Sequence, residues 1–107
     1  MNVITNHTIN ATIALAALEE VVDPEIGLNV VVLGLIRQLD FDEPGKRIFV
    51  SMTLTTQFCP MGETLTGAVK RVIGRTFGDR EVKVELSFDP PWTADCISEQ
   101  GRSFLNQ

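Results

Sequence analysis

The sequence contains no tyrosine, one histidine, one tryptophan and two cysteines among 107 residues. The single imidazole, His7, lies near a terminus expected to fray. A cysteine–histidine nucleophile pair and a zinc hydrolase site built on imidazole ligands are therefore disfavoured. Basic residues are also few: nine Lys and Arg stand against fourteen Asp and Glu, for a net charge of −5. That balance argues against a main task of gripping phosphate backbones, so no nucleic-acid partner is expected. No apolar run approaches the roughly 20 residues that span a bilayer. The N-terminus lacks the basic region and long apolar core of a signal peptide. The expectation is a cytoplasmic protein with no membrane partner. Cys59 and Cys96 form no C-x-x-C pair and have no metal-ligand spacing. Free thiols are the default in a reducing compartment.

What remains is an ordinary apolar content of 44%, enough for one modest core and a single domain over residues 1–107. Residues 1–7 carry no pattern and are expected to be disordered. The chain is organised around Leu54-Thr55-Thr56-Gln57-Phe58-Cys59-Pro60-Met61-Gly62. An alternating strand (Ile48, Val50, Met52, Leu54) runs into two threonines, a cysteine and a proline. Proline is favoured at the first helical position, which predicts a helix from Pro60 to about Thr76 with Cys59 at or beside its N-cap. There the free N–H groups and the macrodipole favour a thiolate. A small buried residue in a strand-to-helix corner explains the same position equally well.

Elsewhere the spacing predicts a first helix to about Glu20, capped by Asn6 or Thr8, with Ile9, Ile13, Leu15, Ala16, Leu18, Val21 and Val22 as its apolar positions. Asp23-Pro24-Glu25-Ile26-Gly27 reads as a turn, with Asp23 capping and Glu25 solvated. Asn29 to Leu35 reads as a buried crossing or single turn. Strands are predicted over 36–41, 48–54 and 81–88, the first two joined by the Asp42–Lys46 turn. The inward stripe of the second helix is Met61, Leu65, Ala68, Val69, Val72 and Ile73. Thr93 is placed to cap a last helix from Ala94 to Leu105, with Trp92 and Ile97 as a hydrophobic staple and Cys96 in its first turn. The order α-β-β-α-β-α implies a two-layer α+β domain with a small mixed sheet and helices on one face.

The blocks Val22-Asp23-Pro24-Glu25-Ile26-Gly27-Leu28-Asn29, Leu33-Gly34-Leu35-Ile36, Met52-Thr53-Leu54-Thr55-Thr56 with Cys59-Pro60-Met61-Gly62, and Asp89-Pro90-Pro91-Trp92-Thr93 occur in order. Over about Ile13 to Leu105 the sequence resembles the metal–sulfur cluster biosynthesis domain family, which includes SufT-type maturation factors and PaaD proteins. The resemblance implies an assembly or delivery factor for iron–sulfur proteins rather than a turnover enzyme, so no catalytic residue is assigned. It implies that Cys59 is the reactive group, with Asp23, Glu25, Thr55, Thr56, Trp92 and Thr93 lining the same cleft. The implied partners are assembly proteins and client apo-proteins, and the implied cargo is a transient iron–sulfur cluster or iron, none of it tightly held. Two departures stand out. Val32 occupies the place of an acidic residue before L-G-L, and Cys96 is not a usual family position. The sequence runs to Gln107 without the cysteine-rich extension typical of PaaD proteins, so the SufT-type branch is expected.

One thiolate supplies one ligand, whereas a cluster generally takes four. Three sources could complete the set: Cys96, a second chain in a homodimer, or a partner. Each predicts the weak binding that handing over a cluster requires. Two alternatives belong to other classes. One is an adaptor that recruits assembly proteins to clients, with Cys59 structural, or a PaaD-like accessory protein of a multicomponent oxygenase. The other is a thiol-based enzyme, which lacks a base placed beside Cys59.

Overall fold

A computed structural model describes residues 3–55, 62–78 and 80–105. The chain forms β1 (Ile4–Thr5), α1 (Thr8–Leu18), β2 (Ile36–Asp42), β3 (Arg47–Met52), α2 (Gly62–Phe77), β4 (Glu81–Leu86), a short 3-10 turn (Ala94–Cys96) and α3 (Glu99–Leu105). The sheet order is β1-β2-β3-β4. β2 and β3 are an antiparallel hairpin, and β1 and β4 add to its two edges in parallel. This is the expected mixed α+β architecture with one strand more than the sequence pattern reveals.

The extra strand, β1, falls in the segment expected to be disordered, and a side chain accounts for its order. The Asn6 amide donates to the Phe41 carbonyl at 3.0 Å and accepts the Phe41 N–H at 2.9 Å, extending the β1–β2 pairing through a side chain. Asn6 is thereby unable to cap the following helix. The cap is instead His7, whose Nδ1 accepts the Asn10 N–H at 3.1 Å.

On β3, Ile48, Val50 and Met52 are buried while Arg47 and Phe49 face water. One sheet face therefore holds the core, and the other is open. The core is closed by Leu65, Val69, Val72 and Ile73 of α2 and by Ala11, Ala14, Leu15 and Leu18 of α1. The α2 stripe follows the sequence pattern, with Ala68 half-buried and Met61 outside the described residues. The α1 pattern needs correction: Ile9 and Ile13 are 70% and 47% exposed, and two alanines take the inward positions. An 11-residue helix with no charged side chain offers no polar face to mark the outside. Packing then selects the small residues, which allow close approach. On β4, Val82 is buried but Leu86 is 39% exposed, because the strand lies at the sheet edge.

The last helix also differs from expectation. Ile97 adopts extended backbone (φ −70°, ψ 133°) and divides the 3-10 turn from α3. Ile97 is buried, and the Ser98 N–H donates to the Val32 carbonyl at 2.8 Å. That outward bond is incompatible with one continuous helix. Ser98 then caps α3, its Oγ accepting the Gly101 N–H at 3.2 Å. Thr93 makes no side-chain capping bond.

Candidate functional site

Topology alone gathers three of the four sequence blocks. β2 begins where β3 ends, because the pair is antiparallel, and β4 ends beside β3 because that pair is parallel. The L-G-L turn precedes β2, the threonine block follows β3, and the P-P-W-T segment follows β4. All three therefore emerge at one end of the sheet.

Backbone bonds tie them together there. The Thr53 N–H donates to the Leu35 carbonyl at 2.9 Å, joining the threonine block to L-G-L. The D-P-E turn is anchored by Asp23 N–H to the Leu28 carbonyl (2.9 Å) and Val30 N–H to the Val21 carbonyl (2.9 Å). Asn29 caps the next turn, its Oδ1 accepting the N–H groups of Val31 and Val32, both at 2.9 Å. Val30, Leu33 and Leu35 are fully buried beneath it, as a buried single turn requires.

The P-P-W-T segment docks onto L-G-L. The Trp92 indole N–H donates to the Leu33 carbonyl at 2.7 Å, a long-range bond that the staple expectation did not contain. Gly34 takes φ +73°, and a Cβ there would overlap the Cys96 carbonyl and lie 2.9 Å from the Cys96 Cβ. Glycine is needed on both counts. Val32, standing where the resembled family has an acid, lies against the α3 backbone: a Cβ on Gly101 would be 3.5 Å from its side chain.

The expected site residues occupy different settings. Asp23 is 2% exposed, and its Oδ1 accepts the Glu25 N–H at 2.9 Å, so the carboxylate closes the turn as a cap. Glu25 and Thr93 are exposed, while Thr55 and Trp92 are half-buried. Cys96 is exposed, with a free thiol, and ends the 3-10 turn instead of opening a helix. It lacks the helix N-terminus expected for it. Thr56 and Cys59 lie outside the described residues. Among the described residues, no group of three or more His, Cys, Asp and Glu is placed to hold a metal ion. None of their helices is long and apolar enough to cross a membrane. The roles of the Leu33 carbonyl and Gly34 escape a reading of side-chain chemistry, since both act through the backbone.

Fold and site together define a small mixed α+β domain in which the L-G-L turn, Thr53–Thr55 and the P-P-W-T segment emerge at one end of the sheet, with the D-P-E turn leading into L-G-L. The chain matches, over residues 12–86, the model of a family described as iron-sulfur cluster assembly protein, and it belongs to that family. It is 36% identical over 91 residues to the Fe-S protein maturation auxiliary factor YitW of Bacillus subtilis, covering 85% of this chain and 88% of that one. It is 37% identical over 85 residues to the auxiliary factor SufT of Staphylococcus aureus, covering 79% of this chain and 96% of that one. A crystal structure of a domain of unknown function, DUF59, from Bacillus anthracis superposes with a TM-score of 0.86 at 30% identity, covering 92% and 93% of the two chains.

Proposed function

We propose that the chain matures iron–sulfur proteins in the cytoplasm, assembling or delivering clusters with Cys59 as an exchangeable thiolate ligand. Its partners are then assembly proteins and client apo-proteins. Family membership and the likeness to two maturation factors support the role. The observation that supports the site is that L-G-L is hydrogen-bonded to Thr53, to Trp92 and, through Leu33 N–H to the Asn29 carbonyl at 3.1 Å, to the block that holds the D-P-E turn, with Thr55 leading into the segment bearing Cys59.

The cluster or iron is cargo, and the donor chemistry suits exchange. A cluster takes about four protein ligands, of which Cys59 supplies one. The rest come from the exposed Cys96, from a second copy, or from the partner that gives or receives the cluster. Thr55 and Thr56 are hydrogen-bond donors to the ligating sulfur, and Glu25 stands at the rim. Asp23, with one oxygen committed to the Glu25 N–H, sets the shape of the turn.

Replacing Cys59 with Ala tests this directly. The variant should unfold at a temperature close to wild type yet lose cluster transfer to an apo-client after anaerobic reconstitution with iron and sulfide, read by absorption and client activity. A Cys59→Ala protein that still matures its client would reduce the thiol to a packing residue.

A further inference from the structure

A groove separates the D-P-E turn from α2, and the cluster chemistry above makes no use of it. Its apolar floor is Val21, Val22, Leu65, Ala68 and Val72, and Val22 is 47% exposed. The three α2 residues recur at helical spacing on one face. The volume is about 210 Å³, below the roughly 300–1,000 Å³ of sites that enclose a small molecule. It suits one or two apolar side chains of an extended segment.

The rim decides what kind of segment. Arg71 and Arg75, one turn apart on α2, overhang the floor, with Glu20 opposite. Glu20 pairs with Arg75. Arg71 has no ion-pair partner among the described residues. The lining thus carries two guanidinium groups against one carboxylate, on a chain whose net charge is −5. This local reversal of sign attracts a carboxylate, which the planar guanidinium can bind through two parallel hydrogen bonds. A basic segment would be drawn to the rest of the surface and repelled here.

We propose that this groove docks an extended acidic segment of a partner protein, seating one apolar side chain on Val22, Leu65 and Ala68 and pairing a neighbouring carboxylate with Arg71. The assignment rests on the maturation role, in which the partner is an assembly protein or client. α2 begins at Gly62, three positions after Cys59 in sequence, so one helix would serve both docking and transfer.

The test is an NMR titration of the ¹⁵N-labelled chain with the peptide acetyl-Ser-Leu-Asp-Leu-Glu-Ser-amide, alongside its Asn/Gln isostere. Shifts should concentrate at Val22, Leu65 and Ala68. The isostere should weaken binding about tenfold, the size of one lost charge-assisted pair, and Arg71→Glu, which sets a carboxylate against the peptide's own, by more than that. Ala68→Trp should abolish binding by filling the floor. Equal binding of the two peptides, shifts confined to the open sheet face, or no binding at millimolar peptide would overturn the proposal. Sedimentation equilibrium adds a further outcome: a dimer that Arg71→Glu dissociates would give the groove to a second copy and overturn it also. Cys59→Ala should bind the peptide normally, while Arg71→Glu should take up iron and sulfide normally but transfer poorly. The two readings therefore fail separately.

Discussion

Gly34→Ala should be among the most damaging single-methyl changes available to this chain, and its cost can be divided. Gly34 sits at φ +73°, where an L-residue pays about 1–2 kcal/mol. The added Cβ would also overlap the Cys96 carbonyl, which is backbone and has no rotamer to yield. The 3-10 turn must move, threatening the Trp92–Leu33 and Ser98–Val32 hydrogen bonds at about 1 kcal/mol each. The total is about 3–4 kcal/mol, a large share of the roughly 5–15 kcal/mol that holds a domain of this size. Gly27→Ala is the matched control: φ is +86° and nothing lies within 4 Å of the added Cβ. It should lose about 1–2 kcal/mol, from backbone strain alone. Subtracting the two urea-denaturation values cancels strain and the shared unfolded-state entropy of Gly→Ala, leaving the packing part. Trp92, the only tryptophan, reports the movement through a red-shifted emission in Gly34→Ala but not in Gly27→Ala. Equal losses in the two variants, with unchanged Trp92 emission, would refute the docking account of the P-P-W-T segment.

Three further outcomes follow from contacts elsewhere in the fold. Asn6→Ala removes both bonds to the Phe41 backbone and should cost about 1–2 kcal/mol in urea denaturation, with faster amide exchange at Phe41. Glu43 is held below the ordinary glutamate range mainly by its hydrogen bonds to Arg80 at 2.8 and 2.9 Å. A lowered folded-state pKa stabilises above the unfolded value of about 4.3 and loses that support as pH falls through the folded value. The melting-temperature gap between wild type and Glu43→Gln should hold from neutral pH to about 5 and close below it. Asp23→Asn keeps an oxygen for the Glu25 N–H while removing the charge, so stability by urea should stay within about 1 kcal/mol of wild type, whereas Asp23→Ala should lose about 1 kcal/mol more by removing the acceptor that closes the turn.

The hairpin, α2 and most of β4 were legible because their alternation or helical stripe coincides with a one-sided core. β1 was not, since two residues cannot display a period and its order depends on the Asn6 side chain standing in for a strand. The inward face of α1 was misread because its apolar residues surround the axis, leaving alanine packing to choose. The break at Ile97 was readable in principle: Ser98 followed by Glu99 is a helix-start signal, overshadowed by the nearer Pro-Trp-Thr cap signal. At the site, the side-chain blocks were visible in sequence. The contacts that unite them, Trp92 to the Leu33 carbonyl and Cys96 over Gly34, run through backbone atoms that no residue pattern encodes. Thr56 and Cys59 lie outside the described residues and stand on sequence.

The connection carrying Cys59 is bounded by two fixed points, and that bears on how it works. On one side, the Thr53 N–H is held by Leu35, and Leu54 is 4% exposed. On the other, Gly62 opens α2 so close to Leu54 that a Cβ would lie 2.9 Å from its Cδ1. Both ends of the connection that carries Cys59 in sequence are thus set by buried neighbours. If Cys59 is the transfer ligand proposed above, substitutions at Gly62 or Leu54 should impair cluster transfer through placement of the thiol, although neither side chain can ligate iron. Their signature is a changed Cys59 alkylation rate alongside a retained fold. Loss of the thiol itself leaves both anchors in place, so anchor and ligand are separable by experiment.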